Sequence, residues 1–210
     1  MTNKRLPKLT KKERAHLKEL LLDSVGDNEE LYAIVDSAKD GSIPHYLNGL
    51  KANYRVLLTG EGAKGLESVA PYIVRLEESA NTVNWYLEKV YGNGIGFVVA
   101  SMDSIEQLAD QWAGIIETKV PSSGHNGYFR VYDPVVLRSY LEILDEDGEL
   151  GDFFEHLGSL LVEADNTVEL ICYRKNSKDK FNNEIIVSKE SIHRAENMPR
   201  DTIEKGAIAG

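Results

Sequence analysis

The sequence predicts a mixed α/β fold, α+β in character: a central mixed sheet flanked by helices, with C-terminal antiparallel hairpins and a reduced C-terminal lobe. Three observations carry this reading. Apolar runs of strand length, "LYAIV", "YRVLL", "YIVRL" and "FVVAS", recur between residues 31 and 101. Segments with helical spacing stand among them, which implies helices packed on a sheet. Beyond residue 158 the style changes to three strand-like runs joined by turn-rich links, the pattern of antiparallel hairpins.

Taken in order, Thr10 stands three residues before Glu13, a capping-box spacing, and "KKERAHLKELLLD" predicts a helix over 11–24 closed by Gly26. Leu31 to Val35 reads as a buried strand ending at Asp36. "HYLNGLK" (45–51) reads as a short helix and "YRVLLTGEG" (54–62) as a second strand. The stretch up to Val69 reads as a helical turn stopped by Pro71, after which "YIVRLE" (72–77) resumes as a strand. "NTVNWYLEKVYGNG" is helical up to its glycines, and "GIGFVVAS" is a strand. In "SMDSIEQLADQWAGIIE", Ile105, Leu108, Trp112, Ile115 and Ile116 share one helical face. "YFRVY" (128–132) alternates like a strand, and a helix follows. "ILDEDGELGD" reads as an acidic loop. The hairpin turns fall at Asp165-Asn166 and around Asn176–Asn183, and the polar tail follows. The chain therefore divides into a basic N-terminal helix (1–27), an α/β core (28–165) and C-terminal hairpins with a tail (166–210).

Bulk composition excludes some classes. Of 210 residues, 42% are hydrophobic and 28% charged, the balance of a soluble globular protein. The apolar runs are far shorter than the roughly 20 residues that span a bilayer. The basic start is not followed by an apolar secretory core, so no signal peptide is expected. One cysteine, Cys172, cannot form an internal disulfide, and a cytoplasmic location is expected. The net charge is −10, with residues 1–20 holding seven Lys or Arg against two Glu. An acidic body disfavours nucleic acid.

The usual chemistries find little footing. Histidines at 16, 45, 125, 156 and 193 form no HxxxH, and there is no CxxC, so no metal is expected. The run Asp145 to Glu149 lacks EF-hand spacing. "GEGAKG" (60–65) follows a strand but departs from the P-loop pattern and reads as a glycine turn. There is no GxSxG, and Cys172 lies mid-strand among apolar neighbours, where a thiol is inert. No cofactor is expected. Asp36 and Asp133 both end strands, a position where α/β active sites occur, although Asp36 better suits a cap of the next turn. Trp85, Trp112, Tyr86 and Tyr91 read as core, with an exposed subset able to form a partner groove.

"YFRVYDPVVLRSYLEIL" is the most informative stretch. Asp133 suits an N-cap, and Pro134 suits the first helical position, where its missing N–H costs nothing. Val136, Leu137, Tyr140, Leu141 and Leu144 form the buried face. Arg130, three residues before Asp133, is placed to orient its carboxylate.

"FRVYDPVVL" (129–137) resembles the FRxYDPRVL signature of the type VI secretion effector adaptor/chaperone family, the Tap or Tec proteins. "LYAIVDSAKD" (31–40), "YRVLLTGE" (54–61), "VAPYIVRLE" (69–77), "GFVVASMDSIEQLADQW" (96–112) and "FFEHLGSLLVE" (153–163) are similar to further segments of that family, in order. Two departures stand out. Val135 replaces an Arg common after the Asp-Pro pair, and Gln111, Trp112 and Ala113 stand where basic residues are common. The resemblance implies an adaptor without catalysis. It would bind the N-terminal segment of a toxic effector in the bacterial cytoplasm and help load it onto the VgrG spike. Pro71, Arg130, Asp133 and Pro134 then mark structure, and Arg130, Tyr132, Trp112 and Tyr91 are the expected partner contacts. The alternatives are an immunity-type toxin-binding protein and a hydrolase using Asp36 and Asp133.

Overall fold

A computed structural model describes residues 9–59, 64–119, 126–164, 169–176 and 185–191. Gly60–Ala63 of the first glycine loop, the Asp165-Asn166 turn, residues 177–183 and the tail from 192 lie outside the described residues.

Helix α1 (Lys11–Asp23) starts at the expected capping box, with Thr10 Oγ1 accepting from Glu13 N–H and Glu13 accepting from Thr10 N–H. Strand β1 (Glu30–Asp36) is buried along nearly its whole length. It is followed by α2 (Ile43–Leu50), β2 (Tyr54–Val56) and β3 (Pro71–Arg75). Helix α3 (Thr82–Trp85) runs on into a π-helical turn, Tyr86–Val90, before β4 (Gly96–Ser101). Helix α4 (Ile105–Ile116) carries its own capping box, Ser104 with Gln107. It leads into the small pair β5 (Glu117–Lys119) and β6 (Asn126–Tyr128). Then come α5 (Pro134–Asp147), α6 (Leu150–Phe153), β7 (Ser159–Glu163), β8 (Glu169–Lys175) and β9 (Ile185–Ser191).

Seven strands make one sheet in the order β2-β3-β1-β4-β7-β8-β9, and β5-β6 form a separate ribbon. Because side chains alternate across a strand, β1 sends Leu31, Ala33 and Val35 to one face and Tyr32, Ile34 and Asp36 to the other. The first face packs under α1, α2 and α3, with Leu17, Leu21, Leu47, Val83 and Tyr86. The second packs under α4, α5 and α6, with Leu108, Trp112, Leu137, Leu141 and Phe154. The β7-β8-β9 meander supplies the expected C-terminal hairpins as a continuation of the same sheet.

The helix-and-sheet class agrees with the sequence reading, but five details differ. Every registered pairing is antiparallel, where a mixed sheet was expected. Strand–helix alternation does not distinguish a helix that crosses over to a parallel neighbour from one that returns the chain alongside. Continuous apolar strands record only that both faces are covered. Strand β2 is three residues long instead of nine, and residues 64–70 are turns instead of a helical one. The acidic segment contains the short α6. "YFRVY" is strand only up to Tyr128, because its partner β5 runs out at Glu117. Beyond it the chain folds tightly, with Val131 N–H donating to Phe129 O at 2.8 Å and Asp133 N–H to Arg130 O at 2.9 Å.

Gly96 marks the tightest approach within the sheet. A Cβ there would lie 2.5 Å from Ile34 O and 2.9 Å from methyl groups of Val35 and Val90. Gly96→Ala is therefore expected to lower unfolding free energy in urea by about 1–3 kcal/mol. Gly114→Ala, on α4 with nothing within 4 Å of its new methyl, should be neutral or stabilising by up to about 1 kcal/mol.

Candidate functional site

The segments that carry the sequence resemblance meet at one end of the sheet. Alternation aims Asp36 toward the α4–α5 face, and the carboxylate is fully buried. Its Oδ1 accepts from Ala38 N–H at 3.0 Å, and its Oδ2 accepts from Arg130 Nη2 at 2.9 Å. Asp133 caps α5: its Oδ1 accepts from Val135 N–H at 3.0 Å. Its Oδ2 lies 2.9 Å from Lys39 Nζ and 3.8 Å from Arg130 Nη2. Lys39 Nζ also donates to Gly94 O at 2.8 Å. Pro71 pairs in register with Asp36, and Ser37 Oγ donates to Ala70 O. The "IVDSAK" segment is thus bonded directly to both "VAPY" and "FRVYDP".

This cluster is a brace. A buried charge is tolerated when it is paired and hydrogen-bonded, and Asp36 is both. Its hydrogen bond raises the Arg130 guanidinium above its ordinary value, though burial partly opposes it. The guanidinium also lies over the Tyr132 ring, 5.8 Å from the centroid. All four carboxylate oxygens of Asp36 and Asp133 are engaged. The two carboxylates of the alternative hydrolase reading do come together around Arg130, but as a locked ion-pair cluster with Asp36 closed to solvent.

A second carboxylate lies at the same sheet end. Glu163 ends β7 and points to the opposite face, toward Tyr86 and Tyr91. It is buried, and its Oε1 accepts from Gly92 N–H at 2.7 Å. Its Oε2 has no hydrogen-bond partner among the described residues. Burial pushes its carboxyl up to about 7, against the opposing pull of the Gly92 and Gly94 amides, Arg138 and Lys39. Arg138 Nη1 donates to the Glu163 backbone carbonyl at 2.5 Å, joining α5 to β7.

Of the four expected contact residues, Arg130 alone is substantially exposed. Trp112, Tyr91 and Tyr132 are 2%, 5% and 7% exposed and fill core. Trp112 also forms one wall of a cavity between α4 and α6. Sequence reasoning missed Lys39 and Glu163. Lys39 gave no signal, but Glu163 ends the apolar run "SLLVE" as Asp36 ends "LYAIVD". Cys172 is buried in β8, and burial raises its thiol. Among the described residues no group of three or more His, Cys, Asp or Glu is placed to hold a metal ion. No helix among them is long and apolar enough to cross a membrane.

Residues 31–151 match the family described as "Domain of unknown function (DUF4123)". The chain belongs to that family, the one to which the type VI secretion effector adaptors it resembles belong. Over 95 residues it is 33% identical to the accessory protein VasW of Vibrio cholerae serotype O1, strain El Tor Inaba N16961. The matched stretch covers 44% of this chain and 31% of VasW, so the chain spans under a third of that relative. No solved structure matches.

Asp133→Ala removes the α5 cap and one arm of the brace, and is expected to cost about 0.5–2 kcal/mol in urea unfolding. Glu163 gives a pH signature. Its folded-state value is raised, so the native state binds the proton more tightly than the unfolded chain does. Its contribution to stability is therefore greatest below the unfolded carboxylate range and is lost as pH rises toward and through about 7. Relative to wild type, Glu163→Gln should flatten the pH dependence of unfolding free energy between those limits. The difference should be on the order of 1–3 kcal/mol.

Proposed function

We propose that the chain is a non-catalytic adaptor of type VI secretion. It binds the N-terminal segment of a toxic effector in the bacterial cytoplasm and helps load that effector onto the VgrG spike. Family membership supports a role associated with type VI secretion. The observation that carries the non-catalytic half is the engagement of every Asp36 and Asp133 oxygen in the brace. In this reading residues 28–165 form the common adaptor body and residues 166–210 supply effector selectivity, with Arg130 as the exposed polar contact at the brace. Selectivity of this kind rests on a few well-placed anchors and on repulsion of wrong partners.

The test is co-purification from cells that also carry the candidate effector and spike. The tagged chain should recover both, and its deletion should abolish secretion of the effector while leaving the secretion apparatus active. Recovery of neither partner contradicts the adaptor reading. Protection of a cell from the toxin, with the spike ignored, would identify an immunity protein instead.

A further inference from the structure

We infer that the cavity between α4 and α6 docks one bulky apolar side chain of a partner segment whose flanking residues are basic. The inference deepens the adaptor reading and rests on it for the identity of the partner protein. The cavity measures about 240 Å³ and is lined by Trp112, Ile115, Phe153 and Leu157, with Gln111, Asp152 and His156 at the polar positions. Small-molecule pockets run to roughly 300–1,000 Å³, and a cavity of roughly 150 Å³ already accepts a benzene ring. The size therefore suits a Leu, Met or Phe side chain better than a metabolite.

The walls are firm. Trp112 meets Phe153 edge-on at 5.8 Å between centroids and is backed by Phe97 at 5.5 Å. Two of the polar lining groups are tied down by one carboxylate oxygen. Gln111 Nε2 donates to Asp103 Oδ2 at 3.0 Å, and His156 Nδ1 lies 2.9 Å from the same atom. What these bonds leave open to a visitor is mainly apolar.

Charge decides what kind of segment brings that side chain. From Glu142 to Glu155 the chain carries seven carboxylates and no Lys or Arg. All seven are exposed; Asp152 lines the cavity, and Glu155 lies 3.8 Å from Nε2 of the lining His156. On α4, Asp110 is exposed as well. Such a field draws in a basic segment and repels an acidic one.

The experiment titrates the full chain with three synthetic peptides and follows binding by calorimetry and by the indole N–H signal of Trp112. One peptide has a Phe-Leu pair flanked by two Lys or Arg on each side. The second has Glu at every basic position, and the third has Ala-Ala for Phe-Leu. The first should bind saturably and shift the Trp112 signal; the other two should bind at least roughly tenfold more weakly. The exposed double reversal Asp152→Lys, Glu155→Lys should lose binding of the first peptide to the same degree with its unfolding midpoint unchanged. Ile115→Trp, which fills the cavity, should lose it as well. Absence of saturable binding at millimolar peptide overturns the inference. So does equal binding of the acidic peptide, or unchanged binding by the charge-reversed chain. Failure here with effector and spike still recovered removes the pocket and leaves the adaptor reading standing; peptide binding without such recovery does the reverse.

Discussion

A carboxylate with no exposed surface ends the interior strand β1, and the chain around it is arranged to answer its charge. Asp36 faces the α4–α5 layer because β1 alternates and Val35 must face the other way. A lone carboxylate there would be intolerable, so Arg130 is drawn to it at 2.9 Å. Holding Arg130 in that position fixes the tight turns after β6, and those turns set where Asp133 begins α5. Lys39, three residues beyond Asp36, closes the circuit onto Asp133. The end of β1 and the entry to α5 are thus held together by one ion pair, and Ser37 Oγ ties Ala70, just before β3, to the same sheet end.

The same end of the sheet holds two carboxylates with opposite treatment. Asp36 is matched by a cation and two hydrogen bonds. Glu163, on the other face, receives the Gly92 amide and leaves one oxygen without a partner among the described residues, and its carboxyl is pushed up to about 7. Neither arrangement resembles a pair of carboxylates held for acid–base work, in which both groups face one solvent-accessible cleft. The surface that does offer a concave apolar site lies away from the brace, between α4 and α6, where Trp112 forms one wall.

Much of the fold was legible because its signals are local. The capping box at Thr10, the Asp133-Pro134 helix start and the apolar face of α4 depend on neighbours within a turn. Sheet direction was not legible, since burial of both faces produces the same apolar runs for parallel and antiparallel strands. The length of "YFRVY" as a strand was not legible either, because it depends on where β5 ends. The Arg130–Asp133 relation could be read from spacing. The stronger Arg130–Asp36 pair spans 94 residues, and no local pattern announces it. Trp112, Tyr91 and Tyr132 show the limit of reading aromatics as contacts: periodic spacing, helical or strand-like, places them on a face without saying whether that face meets solvent or core.

The central claim is that Asp36 and Arg130 hold the strand end and the α5 entry together as one unit. A double-mutant cycle on unfolding free energy with Asp36→Ala and Arg130→Ala tests it directly. The account predicts a coupling energy of about 1–3 kcal/mol between the two sites. Additivity within about 0.5 kcal/mol would contradict it, since the two side chains would then be stabilised independently of each other.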